Sequence, residues 1–563
     1  MNQTKPLQQD KIRIFALGGL DEEGKNCLVV EINDDIFVVE AGIMEPDKTM
    51  PGIDYVIPRY DYLVENKDRI RAYFLLHGHD DEIGALAYIY PDAPAPVYGS
   101  GVTLAMLNLF TVHVKKDPKI YDLHPVEPTS SFKVAGRQIR FFHTAHNIAD
   151  SSGMAISTSL GNIVITGDFV VENASDASFL NDMNAIARIA EEPTLALLPE
   201  SVYADRAGYT APRYKLTPHV SGVFKNAEGR IFVSVFSSNL YNVTEIIRLA
   251  VANRRKIVCY DAQTADLLRT MQACGSVQIP RDSYVSTDDI LRQRDQDLVI
   301  LMTGFGAKLF RKIALLASGE NEDKRIKIKT TDTFIIASPS DDNTEIEYVD
   351  AADELYRTGA EVVMVPKKEF LKMHASEEDL RMMASIFKPK YYIPVKGFYK
   401  SLLRNAMSAL SMGINLNHQN VFIVENGMSV LLDEKGGRVF DEKIPHGDLL
   451  IDGAGIGDVS ENVLTDRQKL ADGVLVVTAS ISKSQARRVA GPEIQMRGLL
   501  VSKDADGLIH EVGKVTVATL DEFLRPGYNI DEIRQNAYER ILRLVRRLTG
   551  KEPMVLPLLI EIP

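Results

Sequence analysis

Apolar and polar positions divide the chain into stretches of different period. Residues 12–42 read as short strands: IRIFALGG, NCLVVEIN and DIFVVEAG are rich in β-branched and aromatic residues and are separated by polar or glycine turns. IRAYFLLHGH at 70–79 predicts a fourth strand ending in histidines, and a helical pattern follows from about Glu82. Residues 133–169 predict further strands, with Leu160-Gly161-Asn162 as the turn between SGMAISTS and IVITGDF. Between about 212 and 370, strands such as RIFVSVF, KIVCYD and LVILMTG alternate with helical stretches such as YNVTEIIRLAVANRR, the pattern of a parallel α/β domain. Residues 371–448 return to helix, strand and a hairpin over ENGMSVLLDEKGGRVF. LIDGAGIG at 449–456 is glycine-rich and reads as a linker. Beyond it GVLVVTASI, GLLVSKD, a long helix from about Ile530 and MVLPLLIEI predict a separate small α/β domain.

Composition changes this picture little. At roughly 100–200 residues per domain, 563 residues suggest three or four domains. The net charge of −13 argues against nucleic-acid binding by bulk charge, so any nucleic-acid binding would need a localised basic channel. Cys27, Cys259 and Cys274 form no CxxC pair and are too few for a disulfide framework. The start lacks the apolar core of a signal peptide and no run of 18 apolar residues exists, so the expected setting is cytoplasmic, with no membrane partner.

The chemistry concentrates at His77-Gly78-His79-Asp80-Asp81-Glu82, directly after an apolar strand. A strand end opening into a helix can project His77, His79 and Asp81 into one small space, and neutral imidazole and carboxylate suit Zn²⁺ or Mn²⁺. This segment resembles the H-x-H-x-D-H signature of the metallo-β-lactamase fold. Phe142-His143-Thr144-Ala145-His146-Asn147 supplies His146, and Thr166-Gly167-Asp168-Phe169 supplies Asp168, each after a strand. The resemblance implies that His77, His79 and His146 hold one metal and that Asp168 bridges to a second.

Further blocks run in order along the chain: Ala16-Leu17-Gly18-Gly19-Leu20-Asp21-Glu22-Glu23-Gly24-Lys25-Asn26, Thr158-Ser159-Leu160-Gly161-Asn162-Ile163-Val164, Phe236-Ser237-Ser238-Asn239, Lys388-Pro389-Lys390-Tyr391-Tyr392-Ile393-Pro394-Val395 and Gly491-Pro492-Glu493-Ile494-Gln495-Met496-Arg497-Gly498. Together they resemble the ribonuclease J family. That resemblance implies an α/β protein: a metallo-β-lactamase αββα sandwich split by an inserted β-CASP α/β domain, plus a small C-terminal α/β domain. The boundaries expected are 1–208 and 371–448 for the two parts of the core, 209–370 for the β-CASP domain, 449–456 for the linker and 457–563 for a C-terminal oligomerisation domain.

Departures from the family pattern bear on mechanism. The last position of H-x-H-x-D-H is Glu82, and the V-H-G-E-Y-R block is Val395-Lys396-Gly397-Phe398-Tyr399-Lys400, so a metal-binding histidine is replaced by Lys396. The D-A-G block is Glu40-Ala41-Gly42, and the S-D-S-T block is Pro199-Glu200-Ser201-Val202. The H-V-S-G-H substrate clamp becomes Phe370-Leu371-Lys372-Met373-His374, which keeps only His374. Asp81, Asp168 and His374 are the expected catalytic residues, and Phe370 to His374 the substrate-binding segment. His77, His79, His146 and Asp168 are the expected ligands of a first cation. Asp81, Glu82 and Asp168 would serve a second. An ammonium has no lone pair and cannot ligate. Glu82 and Lys396 have opposite charge and map to one place, so they are expected either to pair in the vacated site or to reflect independent drift.

Such degeneration resembles the second ribonuclease J paralogue branch of Gram-positive bacteria. It implies a weak, metal-dependent 5′-to-3′ exoribonuclease, with endonuclease activity as a further possibility. Such a chain works with an intact paralogue in rRNA and mRNA maturation and decay, as a homodimer or hetero-oligomer joined through the C-terminal domain. The competing expectation is an inactive pseudo-nuclease that stabilises and tunes that paralogue. The helix from Ile530, with apolar residues at spacings of 3 and 4, either packs on its own domain or presents its arginines to a subunit or RNA. His113, His124, His143 and His219 read as structural, and Asp341-Asp342-Asn343 as a turn rather than a metal site.

Overall fold

The structure is a computed structural model that describes residues 9–47, 49–172, 177–340, 344–367, 370–440, 442–453, 455–456, 461–499 and 502–563. The Asp341-Asp342-Asn343 turn lies outside them. Two compact units are present, the first comprising residues 1–45 and 55–449, the second 46–54 and 450–563.

Two β-sheets form the sandwich of the first unit. The larger runs, in spatial order, Gly436–Phe440, Ser429–Asp433, Ile12–Gly18, Cys27–Ile32, Asp35–Val39, Ile70–Leu75, Val97–Gly99 and Leu123–Pro125. The smaller runs Tyr391–Tyr392, Thr194–Leu198, Gly161–Ile165, Ser152–Thr158, Arg137–His143 and Ser131–Val134. Each sheet therefore contains strands from before and after the insert. Ile12 pairs with Leu432 in an antiparallel ladder, and Ala196 pairs with Tyr391 in a parallel one. Between the sheets Ile14, Val30, Phe74, Phe141, Ile156 and Ile165 share one buried cluster with Tyr391, Val395 and Leu432. The apolar surface buried there is the main favourable term in joining two distant parts of the chain. The fold is the αββα sandwich split by an α/β insert, with a small α/β domain at the C-terminus.

The insert is a wholly parallel sheet in the order Lys256–Cys259, Leu298–Gly304, Ile231–Phe236, Thr333–Ile336 and Glu361–Met364. Its strands read as continuous apolar runs because both faces are covered. Phe232 and Phe334 stack with ring centroids 5.7 Å apart. Arg230 and Asp332 form a buried ion pair at the foot of the central strand, with side chains 4% and 0% exposed.

In the second unit Val474–Ser482 lies between Arg487–Arg497 and Met554–Ile562, and helices Ser502–Phe523 and Ile530–Thr549 pack on the sheet. Ile533, Ala537, Ile541 and Leu544 are buried as their spacing predicts, whereas Leu548 is exposed. The arginines serve local pairs, Arg540 with Glu522 and Arg546 with Glu552. The described residues of GLLVSKD do not form the expected strand: residues 500 and 501 lie outside the described residues, and a helix runs from Ser502. The strand Asp448–Asp452 runs into the stretch read as a linker. Among the described residues no helix is long and apolar enough to cross a membrane.

The Arg230–Asp332 pair yields a stability test. Arg230→Ala leaves a carboxylate buried without its counter-charge, and urea denaturation should show a loss of about 3–5 kcal/mol. A loss within experimental error of zero would contradict this account of the insert.

Candidate active site

The site is assembled where strands of both sheets end. His77 and His79 follow Ile70–Leu75, His146 follows Arg137–His143, and Asp168 follows Gly161–Ile165. Glu200 follows Thr194–Leu198, and Lys396 follows Tyr391–Tyr392. Two glycines permit the close approach of the loops. A Cβ on Gly42 would lie 1.6 Å from the Asp81 carbonyl oxygen. Gly167, with φ 62°, turns the chain so that Asp168 enters the core.

The three histidine rings converge, with centroids 4.7, 4.8 and 4.9 Å apart. His79 Nδ1 lies 3.2 Å from His77 Nε2 and 3.3 Å from His146 Nε2. The outer nitrogens fix the protons. His79 Nε2 donates to the Ser238 carbonyl at 2.9 Å, and His146 Nδ1 donates to the Met373 carbonyl at 2.6 Å. Two lone pairs therefore face each other between His79 and His146, which is repulsive unless a proton or cation lies between them. Protonation is disfavoured, because burial pushes all three imidazoles below the usual histidine value. A cation suits the site. Nitrogens at 2.0–2.1 Å from a tetrahedral zinc lie about 3.3–3.4 Å from one another. Asp168 Oδ2, at 3.6 Å from His77 Nε2 and 3.8 Å from His146 Nε2, completes the donor set. These residues fit one divalent ion.

The position expected for a second cation, beside Glu82, is taken by an ammonium. Lys396 Nζ lies 2.7 Å from Glu82 Oε1 and 2.8 Å from Asp168 Oδ1. His77, Glu82 and Asp168 are close enough to hold an ion by distance alone, but the ammonium already sits on both carboxylates. Asn26 Nδ2 donates to the same Glu82 oxygen at 3.0 Å. Burial acts first on every member of this group. It pushes Glu82 well up, and the repulsion of Glu40, Asp168 and Asp81 adds to it beyond what Lys396 offsets. Asp168 is also raised by burial, but Lys396 and the histidines outweigh this and hold it well below the usual carboxylate range. Burial opposes the charge of Lys396, yet Asp168, Glu82 and Glu40 hold its pKa well above the ordinary lysine value. Glu40, pushed well up by burial, and Lys396 border a cavity of about 20 Å³, room for about one water.

A third group lies beside Asp168. His374 Nδ1 is 2.8 Å from Glu200 Oε2 and 3.6 Å from Asp168 Oδ2. Glu200 is anchored by the Phe169 and Ala375 amides at 2.8 and 3.1 Å. Burial lowers the His374 pKa, but Glu200 and Asp168 outweigh it and leave it raised.

His77, His79, His146, Asp168, Glu82, Lys396 and His374 thus share one locality. Asp81 does not join these clusters. Its carbonyl takes the Asn26 amides, and its charge acts on His79. Of the segment 370–374, Phe370, Leu371 and Met373 are buried, Lys372 is exposed, and Met373 contributes its carbonyl to His146. His143 bonds the Leu180 carbonyl and His219 packs on Phe370. Glu40, Glu200 and Asn26 were missed as site residues. Glu40 and Glu200 stand in the sequence as departures from family blocks, which was the available signal.

Comparison with known proteins agrees in each region. The model of the ribonuclease J beta-CASP domain matches residues 228–347, and that of the ribonuclease J C-terminal domain matches residues 462–562. Ribonuclease J2 of Bacillus subtilis (strain 168) is 33% identical over 561 residues, covering 99% of this chain and 100% of its own. Ribonuclease J 2 of Staphylococcus aureus (strain NCTC 8325 / PS 47) is 32% identical over 569 residues, with 100% of each chain covered. A crystal structure of a protein of unknown function from Enterococcus faecalis V583 aligns with a TM-score of 0.51 at 16% identity, covering 75% of this chain and 100% of that one. That last likeness concerns the fold alone.

The raised Glu82 sets a pH test on metal-free protein. The native state holds the Glu82 proton above about pH 4.3, where the unfolded chain releases it. Stability from this group therefore falls as pH rises toward the native value. Glu82→Gln removes that slope. In urea denaturation from pH 5 to 8 with chelator, the variant should gain on the wild type as pH rises. Parallel curves would refute the assignment.

Proposed function

The chain belongs to the ribonuclease J family, and from that premise we propose that it is an RNA-processing and decay protein with weak, single-cation phosphodiesterase activity that works beside an intact paralogue. The single observation that carries this reading is the position of Lys396, whose ammonium stands on Glu82 and Asp168 while the three histidines keep a cation-shaped gap. Nitrogen donors favour Zn²⁺ over Mg²⁺, with Mn²⁺ the alternative. A divalent cation held by His77, His79, His146 and Asp168 supplies Lewis acidity toward a phosphate and a lowered pKa for water. The protein's own groups do the rest. Asp168 divides its two oxygens between the histidine side and the ammonium. Glu200 orients His374 through Nδ1 and raises its pKa, so that His374 can hold a proton for a departing oxygen. The 5′-to-3′ polarity, action on rRNA and mRNA, and a cytoplasmic setting belong to the same proposal.

A pure scaffold is the second reading. The buried side chains of Phe370, Leu371 and Met373 favour it, since a substrate clamp needs surfaces that a nucleotide can reach.

Metal analysis of the purified chain should find one tightly held divalent cation, lost in His146→Ala. Glu82→His with Lys396→His should raise occupancy toward two. The wild type should digest 5′-monophosphate RNA far more slowly than an intact paralogue, and His374→Ala should lower that rate by about 10²–10⁴-fold. Two tight metals in the wild type, or paralogue-like rates, would sink the single-cation reading. Metal without any RNA turnover would favour the scaffold.

Assembly is proposed through the second unit. Its sheet carries Leu558 and Ile560 half-exposed, each 51%, on the face away from the buried Leu559. Deleting residues 457–563 should convert a dimer, or a mixed oligomer with the paralogue, into monomers in analytical ultracentrifugation. A truncated chain that still sediments as a dimer would rule this out.

A further inference from the structure

The contacts that orient the histidines cross a domain boundary. His79 belongs to the sandwich, but the carbonyl that takes its Nε2 proton at 2.9 Å is that of Ser238, in the α/β insert. Three residues on, the Tyr241 amide donates to the Asn147 carbonyl at 2.9 Å, immediately after His146. Both insert groups lie just past the carboxyl end of the central strand Ile231–Phe236, where parallel sheets commonly present their functional groups.

The turn that carries them is tied down from the insert side. The Ser237 amide and hydroxyl both donate to the Gly304 carbonyl, at 3.0 and 3.2 Å. Asn239 Oδ1 accepts from the Asn242 amide at 3.1 Å and caps the helix Leu240–Ala252. Tyr241 is buried between Phe179 of the sandwich and Tyr214, with centroids 5.2 and 5.1 Å away. A shift of the insert therefore moves Ser238 O, and His79 loses the partner that keeps its Nδ1 lone pair turned toward His77 and His146. Such outer partners fix ring orientation and ligand basicity.

We propose that the docked insert is part of the cation site: the Phe236–Asn239 turn positions His79, so that insert docking and cation binding are thermodynamically linked. The inference rests on the reading that His77, His79 and His146 hold a cation. Linkage is reciprocal, so a cation must tighten the insert by as much as the insert tightens the cation. Ser237 and Asn239 are positioning residues in this scheme, acting through the Ser238 carbonyl.

The test uses full-length protein and Zn²⁺ alone, with affinity read by competition with a chromophoric chelator. Ser237→Ala with Asn239→Ala loosens the turn and should weaken Zn²⁺ binding by about 10–100-fold. Thr358→Ala is the control. It removes the hydroxyl that bonds the Leu355 carbonyl and the Ala360 amide in the same insert, at the amino end of the parallel sheet, opposite the carboxyl end that carries Ser238, and should leave the affinity unchanged. In the reverse direction, Zn²⁺ should slow amide hydrogen exchange in wild-type peptides spanning 236–243. Equal affinity in wild type and double variant, equal losses in double variant and control, or no change in exchange would each overturn the linkage while leaving the cation site standing. A wild type that binds no Zn²⁺ would overturn both.

Discussion

The ammonium of Lys396 between Glu82 and Asp168 is the interaction on which the rest of the first unit depends. Three carboxylates, those of Glu40, Glu82 and Asp168, are buried within reach of its field. Carboxylates so placed repel one another strongly, because little water screens them. One fixed positive charge lets Asp168 stay ionised, while Glu40 and Glu82 are pushed toward their neutral forms. The tie is also topological. Lys396 lies in the part of the chain after the insert, and Glu82 and Asp168 in the part before it. The same segment is anchored by Tyr391 in the smaller sheet, so the charge cluster and the apolar core fix one closure of the split sandwich.

Asp168 shows how one side chain can separate two functions. Oδ2 looks toward the histidines and His374, and Oδ1 is held by Lys396. A carboxylate that bridges two cations shares its charge between mobile ligands. Here one side is permanently occupied by a covalently attached cation that cannot leave, exchange or accept a ligand. Its hydrogen-bond donors are directed at carboxylates, so it is not free to serve a phosphate as an arginine or a metal would.

Much of this was legible in the sequence because it depends on period and spacing. The strands over 12–42 and 70–79, the α/β alternation of the insert and the convergence of His77, His79, His146 and Asp168 all follow from strand ends and motif order. The opposite charges at 82 and 396 leave pairing and independent drift both open in the sequence, and the structure brings the two together with Asp168 as a third member. What sequence could not carry was backbone chemistry. The partners of His79 and His146 are carbonyls of Ser238 and Met373, and any residue has a carbonyl. The motif position of Asp81 says nothing of which way its carboxylate turns, and among the described residues Asp81 joins none of the three donor groups. The strand Arg487–Arg497 is largely exposed and polar, so it lacks an apolar signal, and the helix from Ser502 contains Gly507, Gly513 and several β-branched residues that obscure a helical period.

These features together set the balance between binding and turnover. Two-cation hydrolysis places positive charge on both sides of the phosphate, one for the attacking oxygen and one for the leaving oxygen. In this chain the second charge is present but neutralised by the ionised Asp168 at 2.8 Å, with Glu82 accepting from the same ammonium at 2.7 Å. On the single-cation reading, the local field available to a phosphate is that of the cation and of His374, whose own charge is shared with Glu200 at 2.8 Å. Ground-state attraction needs only net positive potential and survives this loss in part. Transition-state stabilisation needs charge where it develops and does not. On the single-cation reading, a buried ammonium in the place of a second cation therefore leaves the closure of the split sandwich intact while removing more from rate than from binding.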